Sequence, residues 1–123
     1  MKSIILGSIF LALAASACGP GTACTEEARP GLEVVVVDED GTRICDATVV
    51  ANDGTDDETL SPSGEAADCI YFGATEKAGT YTISASKADF VDASEADVVV
   101  GEDECHVITE SVNLTLEAAA QAE

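Results

Sequence analysis

Five cysteines, Cys18, Cys24, Cys45, Cys69 and Cys105, and a single histidine, His106, are the side chains of this 123-residue chain best suited to covalent or metal chemistry. Cys105 and His106 are neighbours. A thiolate beside an imidazole can serve as nucleophile and base, or the two can share a metal ion. Neither use suits the spacing. Adjacent strand residues point to opposite faces, and one imidazole without a Cys-x-x-Cys pair leaves zinc short of ligands. The sequence therefore predicts a disulfide cysteine beside an ordinary strand histidine. No catalytic residue, metal site or cofactor is assigned.

Acidic clusters are the other source of ligands. "DEDG" (38–41), "NDGTDDE" (52–58) and "EDE" (102–104) supply the oxygen donors that calcium prefers, yet none carries the spacing of an EF-hand loop. Turn chemistry accounts for 38–41 and solvated loop charge for the rest. Asp53, Asp56, Asp57 and Glu58 are where a calcium-binding reading would be tested first. No pair of acids stands out for glycoside chemistry. Tyr71, Phe72, Tyr81 and Phe90 could form a carbohydrate platform, but four aromatics in a small β domain more often serve packing. Asn113-Leu114-Thr115 fits a glycosylation sequon, and strand alternation already explains it.

The odd cysteine count points to the N-terminus. Lys2 precedes an apolar stretch from Ile4 to Ala15, shorter than the ~20 residues of a spanning helix. A positive start, an apolar middle and small residues at the end make a secretory signal. Ala15-Ser16-Ala17 satisfies the rule for ordinary signal peptidase. The same residues followed by Cys18 resemble the bacterial lipobox, in which the cysteine becomes the first mature residue and carries lipid. Exported proteins meet an oxidising compartment. If Cys18 is acylated, an even set of four cysteines remains to pair. The segment "GPGTACTEEARPG" then reads as a short tether that becomes ordered near Cys24 or Gly31, and acyl chains hold the domain to a membrane without a spanning helix.

Size and charge narrow the rest. Residues 18–123 suit one domain with a modest core, to which two disulfides add roughly 2–4 kcal/mol each. The formal charge is −19, from 24 acidic against 5 basic residues. Such a surface repels nucleic acid and anionic headgroups. The charges punctuate clear apolar runs, so the domain is expected to fold.

Those runs have the period of strands. "LEVVVV" (32–37) is nearly continuous, as for a strand covered on both sides or nearly so. An Asp/Gly turn follows at 38–42, then "CDATVVA" (45–51) with Ala47, Val49 and Ala51 on one face. In "GTYTISAS" (79–86), Tyr81, Ile83 and Ala85 alternate with hydroxyls, the mark of a half-buried antiparallel strand. "CIYFGA" (69–74) precedes it across "TEKAG", read as a hairpin turn. "ADVVV" (96–100) and "HVITESVNLTLE" (106–117) complete the set, while "ADFVDASEADV" offers at most a helical turn. Residues 52–68 read as a long acidic loop with at most a short strand near Thr59 or Leu60. Six or seven short strands imply a β-sandwich.

"VVVVDEDGTRICDATVVAND" together with "KAGTYTISASKADF" resembles the carboxypeptidase regulatory-like domain, a transthyretin-like sandwich. Val36, Asp40, Gly41, Ala47, Val49, Gly79, Tyr81, Ile83 and Phe90 carry the likeness, which covers about residues 32–117. Asp46 and Asp89 depart from it, each standing where glycine is common. The resemblance implies an all-β, antiparallel-rich, transthyretin-like β-sandwich of about seven strands. It also implies an accessory module for spacing or contact and no peptidase activity. In that topology the first and last strands lie in one sheet and run the same way. Cys24 and Cys105 then fall at one end and Cys45 and Cys69 at the other, so of three connectivities the resemblance implies Cys24–Cys105 and Cys45–Cys69. A Cα separation beyond about 7 Å would exclude a pair.

The expected organisation is a lipoprotein signal peptide (1–17), a tether (18–31), the sandwich (32–117) and a tail (118–123). The expected protein is a non-enzymatic module of the bacterial cell envelope, anchored through lipid on Cys18. It would contact another envelope or surface protein and no nucleic acid. A calcium- or carbohydrate-binding surface module is the alternative.

Overall fold

The computed structural model describes residues 24–119. The segment expected to be a signal peptide (1–17), Cys18 and residues 120–123 lie outside them. Strands β1 (Leu32–Val37), β2 (Thr48–Asn52), β3 (Asp57–Ser63), β4 (Ile70–Gly73), β5 (Gly79–Ser86), β7 (Ala93–Glu102) and β9 (Glu110–Thr115) build the body. Three two-residue strands, β6 (Phe90–Val91), β8 (Val107–Ile108) and β10 (Glu117–Ala118), pin the loops. The described chain is all-β. Among the described residues no helix is long and apolar enough to cross a membrane.

Eight strands follow one another in the order β8-β7-β5-β2-β3-β4-β1-β9, with β10 paired to β6 apart from them. The run divides at β3. Residues from Asp57 to Leu60 pair with β2, whereas Ser61 to Ser63 pair with β4, so one strand belongs to both layers of the sandwich. Every neighbouring pair is antiparallel except β1 and β9, which run parallel from Leu32↔Glu110 to Val37↔Thr115. The first and last long strands thus share a sheet and a direction, as expected.

Alternation makes the core. Leu32, Val34 and Val36 are fully buried while Glu33, Val35 and Val37 are half-buried, so β1 is covered completely on one face and partly on the other. Tyr81, Ile83 and Ala85 of β5 meet them from the opposite layer, together with Val49, Ala51, Val98 and Val100, while Val112 and Leu114 of β9 flank them in their own layer. Burying a residue of this kind is worth about 1.5–3 kcal/mol. Tyr71 fills the centre, its hydroxyl donating to the Ile44 carbonyl and accepting from the Ala47 amide, both at 2.9 Å.

Four local expectations need correction. The 52–68 segment contains β3, a seven-residue strand. Its only buried apolar anchor is Leu60, and the exposed Pro62 is tolerated because each half of β3 is paired on one side only. "TEKAG" is no hairpin turn, because β4 pairs with β1 and β3 whereas β5 pairs with β2 and β7; it carries the chain between layers. The second strand begins at Thr48, with Cys45 and Asp46 in the preceding turn. "ADFVDASEADV" forms β6 and the start of β7.

The outer edge of β7 is protected against further pairing. β8 reaches only Gly101 and Glu102. Between Glu95 and Val98 the register shifts by one residue, with Asp97 at φ 60°. A bulge bearing acids on an exposed edge discourages another strand from adding to it.

Candidate functional site

Both bridges expected from the resemblance are present. Cys24 and Cys105 are bonded with Cα atoms 5.2 Å apart, and Cys45 and Cys69 with Cα atoms 5.8 Å apart. They lie at opposite ends of the sandwich. Cys105 sits in the β7–β8 turn, near the start of β1 and β9; Cys45 and Cys69 sit beyond the end of β1 and before β4. The second bridge is the more sheltered, since Cys69 is 1% exposed.

Residues 24–31 form a strap laid over the first of these ends. Thr109 Oγ1 donates to the Pro30 carbonyl at 2.7 Å, and Glu110 N to the Gly31 carbonyl at 2.8 Å. Gly31 N lies within 3.0 Å of both the Gly73 and Ala74 carbonyls. A Cβ at Gly31 would sit 2.6 Å from Ala74 O, so only glycine permits this approach. One turn earlier, Arg29 and Glu76 clasp each other: Glu76 N donates to Arg29 O, and Arg29 N donates to the Glu76 carboxylate, both at 2.9 Å.

His106 is the hub beneath the strap. Its Nδ1 is 2.6 Å from Glu76 Oε2 and its Nε2 is 3.0 Å from Thr25 Oγ1. The Glu76 carboxyl is held below the usual glutamate range by the imidazole beside it, with smaller help from the amides of Arg29 and Val107. It is therefore a pure acceptor, which places a proton on Nδ1. In the neutral ring Nε2 accepts from the Thr25 hydroxyl; in the charged ring it donates to the same oxygen. Asp103 completes the turn. Its Oδ1 accepts from the amides of His106 at 2.9 Å and Cys105 at 2.8 Å, and these bonds lower its pKa.

The expectation for His106 is corrected in part. Cys105 is a disulfide cysteine, but His106 is 8% exposed and stands in the turn before β8, not on a strand. Face alternation therefore does not separate it from its neighbour; the disulfide does. Two members of the cluster, Thr25 and Glu76, carry no signal in the sequence, because they meet His106 across 81 and 30 positions.

An open hollow of about 550 Å³ lies over this cluster, lined by Cys24, Thr25 and Arg29 from the strap and by residues 103–106. Hydroxyl, imidazole and carboxylate follow one another as in nucleophilic catalysis. The remaining machinery is engaged elsewhere. The amides of Cys105 and His106, which border the hollow, both serve Asp103, and Arg29 Nε is bound to Glu27 at 2.7 Å. What the arrangement does is fasten the strap.

Three of the four acids read as calcium candidates are engaged within the fold, Asp53 and Glu58 by backbone amides and Asp57 by a side chain. Asp53 Oδ1 accepts from the amides of Thr55 and Asp56, Asp57 Oδ1 accepts from the Asn52 amide group, and the Glu58 carboxylate takes Ala74 N. Among the described residues no group of three or more His, Cys, Asp or Glu side chains could hold a metal ion. Tyr71 and Tyr81 are buried and belong to the core, so the four aromatics present no shared platform.

No model of a known protein family matches this chain, and no curated protein matches it.

Proposed function

We propose that this chain is a non-enzymatic, lipid-anchored protein of the bacterial cell envelope, presenting a carboxypeptidase regulatory-like sandwich to another envelope or surface protein. The observation that carries the proposal is the pairing of Cys24 with Cys105 and of Cys45 with Cys69. Five cysteines with four in bridges leave Cys18 as the odd one, at the position where the lipobox reading puts the acyl group. Disulfides suit an exported protein. The family likeness is supported by the parallel pairing of β1 with β9 and by the Gly79-x-Tyr81-x-Ile83 pattern on β5.

Metabolic labelling with tritiated palmitate and intact mass test the anchor. Wild type is expected to be labelled and to lack residues 1–17; Cys18→Ala is expected to be unlabelled. Equal label in both, or an unlabelled wild type that begins at Cys18, overturns it. Affinity capture from native membranes then identifies the neighbours.

A further inference from the structure

We propose that Cys24–Cys105 is an exchangeable bridge, open to a dithiol reductant, whose opening releases residues 24–28 of the strap and lengthens the leash between Cys18 and the sandwich. The clause about the leash rests on the lipid anchor proposed above; the exchange itself does not.

The two bridges differ in setting. Cys24 is exposed, Cys105 is half-buried, and both line the open hollow. Cys45 is half-buried and Cys69 is 1% exposed, behind a turn in which Arg43 Nη1 donates to the Cys69 carbonyl at 2.6 Å. Exchange requires an attacking thiolate to reach one sulfur, and access favours Cys24.

They also differ in what depends on them. Cys45–Cys69 ties the start of β4 to the turn before β2. Cys24 stands ahead of every strand. Opening its bridge leaves the ladders whole, with the Arg29–Glu76 clasp and the Gly31 bonds still in place. The released segment is therefore 24–28, five exposed residues whose main remaining tie to the body is the Thr25–His106 hydrogen bond, worth less than the backbone entropy that the segment regains. With the bridge closed, the chain from Cys18 to Cys24 can span at most about 22 Å; with it open, Cys18 to Arg29 can span about 40 Å.

The chemistry balances with a dithiol. One thiolate attacks Cys24 Sγ, the Cys24–Cys105 bond breaks, and Cys105 leaves with the electron pair and takes a proton. The second thiol of the reductant displaces Cys24, which takes the other proton, while the reductant closes its own disulfide.

The test uses the full mature protein, titrated with dithiothreitol, trapped with iodoacetamide and mapped by peptide mass. Cys24 and Cys105 are expected to be alkylated at dithiothreitol concentrations about tenfold or more below those that open Cys45 and Cys69, in keeping with their access. At that point hydrogen exchange is expected to rise at residues 24–28 and to stay unchanged at Glu76 and Gly31. Opening of both bridges together, opening of Cys45–Cys69 first, or loss of protection across the strands overturns the proposal. On neutral phosphatidylcholine vesicles, the gap between membrane and sandwich is expected to widen on reduction; an unchanged gap overturns the leash. Wild-type protein without palmitate that still opens Cys24–Cys105 selectively marks the failure of the anchor, not of the exchange.

Discussion

His106 Nδ1 lies 2.6 Å from Glu76 Oε2, and this contact joins the strap, the β4–β5 connection and the β7–β8 turn at one end of the sandwich. The same Glu76 carboxylate receives the Arg29 amide and, at 3.3 Å, the Val107 amide. One half-exposed carboxylate thereby serves donors from two segments, the strap and residues 106–107, that the chain order keeps far apart.

That geometry sets an acid limit. Glu76 and Asp103 are held below their usual values of 4.5 and 3.8, Glu76 first by His106 and Asp103 first by the His106 amide. A carboxyl depressed by folding adds stability that is present above its unfolded value and is lost as pH falls through its folded value. Urea titrations are expected to show stability falling below about pH 4, with exchange at residues 24–31 rising before exchange in β5. Glu76→Gln is expected to flatten this acid loss; an unchanged acid profile in the variant contradicts the assignment.

Charge acts in the opposite sense over milder conditions. At −19 the folded chain repels itself more than the expanded chain does. Sodium chloride raised from 0.01 to 0.5 M is expected to raise Tm, by ~4–8 °C for each kcal/mol of relief. Calorimetry at fixed pH measures this, and a falling Tm counts against it.

Tyr71 is fully buried, and its hydroxyl serves both Ile44 O and Ala47 N. Tyr71→Phe keeps the ring and strands an amide and a carbonyl, a loss expected to cost about 1–3 kcal/mol. Denaturant titration is the check, with Tyr81→Phe as the milder comparison because its hydroxyl only donates to Lys77 O.

Gly31→Ala places a methyl 2.6 Å from Ala74 O and 2.9 Å from Val100 Cγ1. Backbone must move, at an expected cost of about 1–3 kcal/mol. The same change is expected to raise exchange at Glu110, whose amide bonds Gly31 O.

Loop length alone ranks the bridges wrongly. Separations of 81 and 24 residues give about 4.5 and 3.5 kcal/mol in the chain-entropy model. Cutting Cys24–Cys105 also frees residues 24–28 in the native state, each regaining ~1–2 kcal/mol of backbone entropy against about 1 kcal/mol for the Thr25–His106 bond. Cys24→Ser with Cys105→Ser is therefore expected to cost less than Cys45→Ser with Cys69→Ser. Equilibrium unfolding of the two pairs decides.

A nearly continuous β-branched run was sufficient to mark β1 at 32–37 and period-two alternation to mark β5 at 79–86, because a strand covered on both sides is apolar throughout and a half-buried one is apolar on one face, whatever its neighbours. β3 was legible only as a short strand near Thr59 or Leu60, and its full length was not, for the converse reason: "DETLSPS" has one buried residue, Leu60, and extends to seven residues through the ladders of β2 and β4 alone. The same holds for the role of "TEKAG", since no local pattern says whether a turn returns to its own sheet or crosses to the other.

The sequence by itself determined the all-β character, the acidic surface and the even set of cysteines after Cys18, since these follow from composition and short-range pattern. Tertiary structure decided that Thr25, Glu76 and His106 meet, and that one bridge holds a strap while the other holds the fold. Those contacts join residues up to 81 positions apart, and hydrogen bonds at that range depend on the stacking of strands rather than on any spacing along the chain.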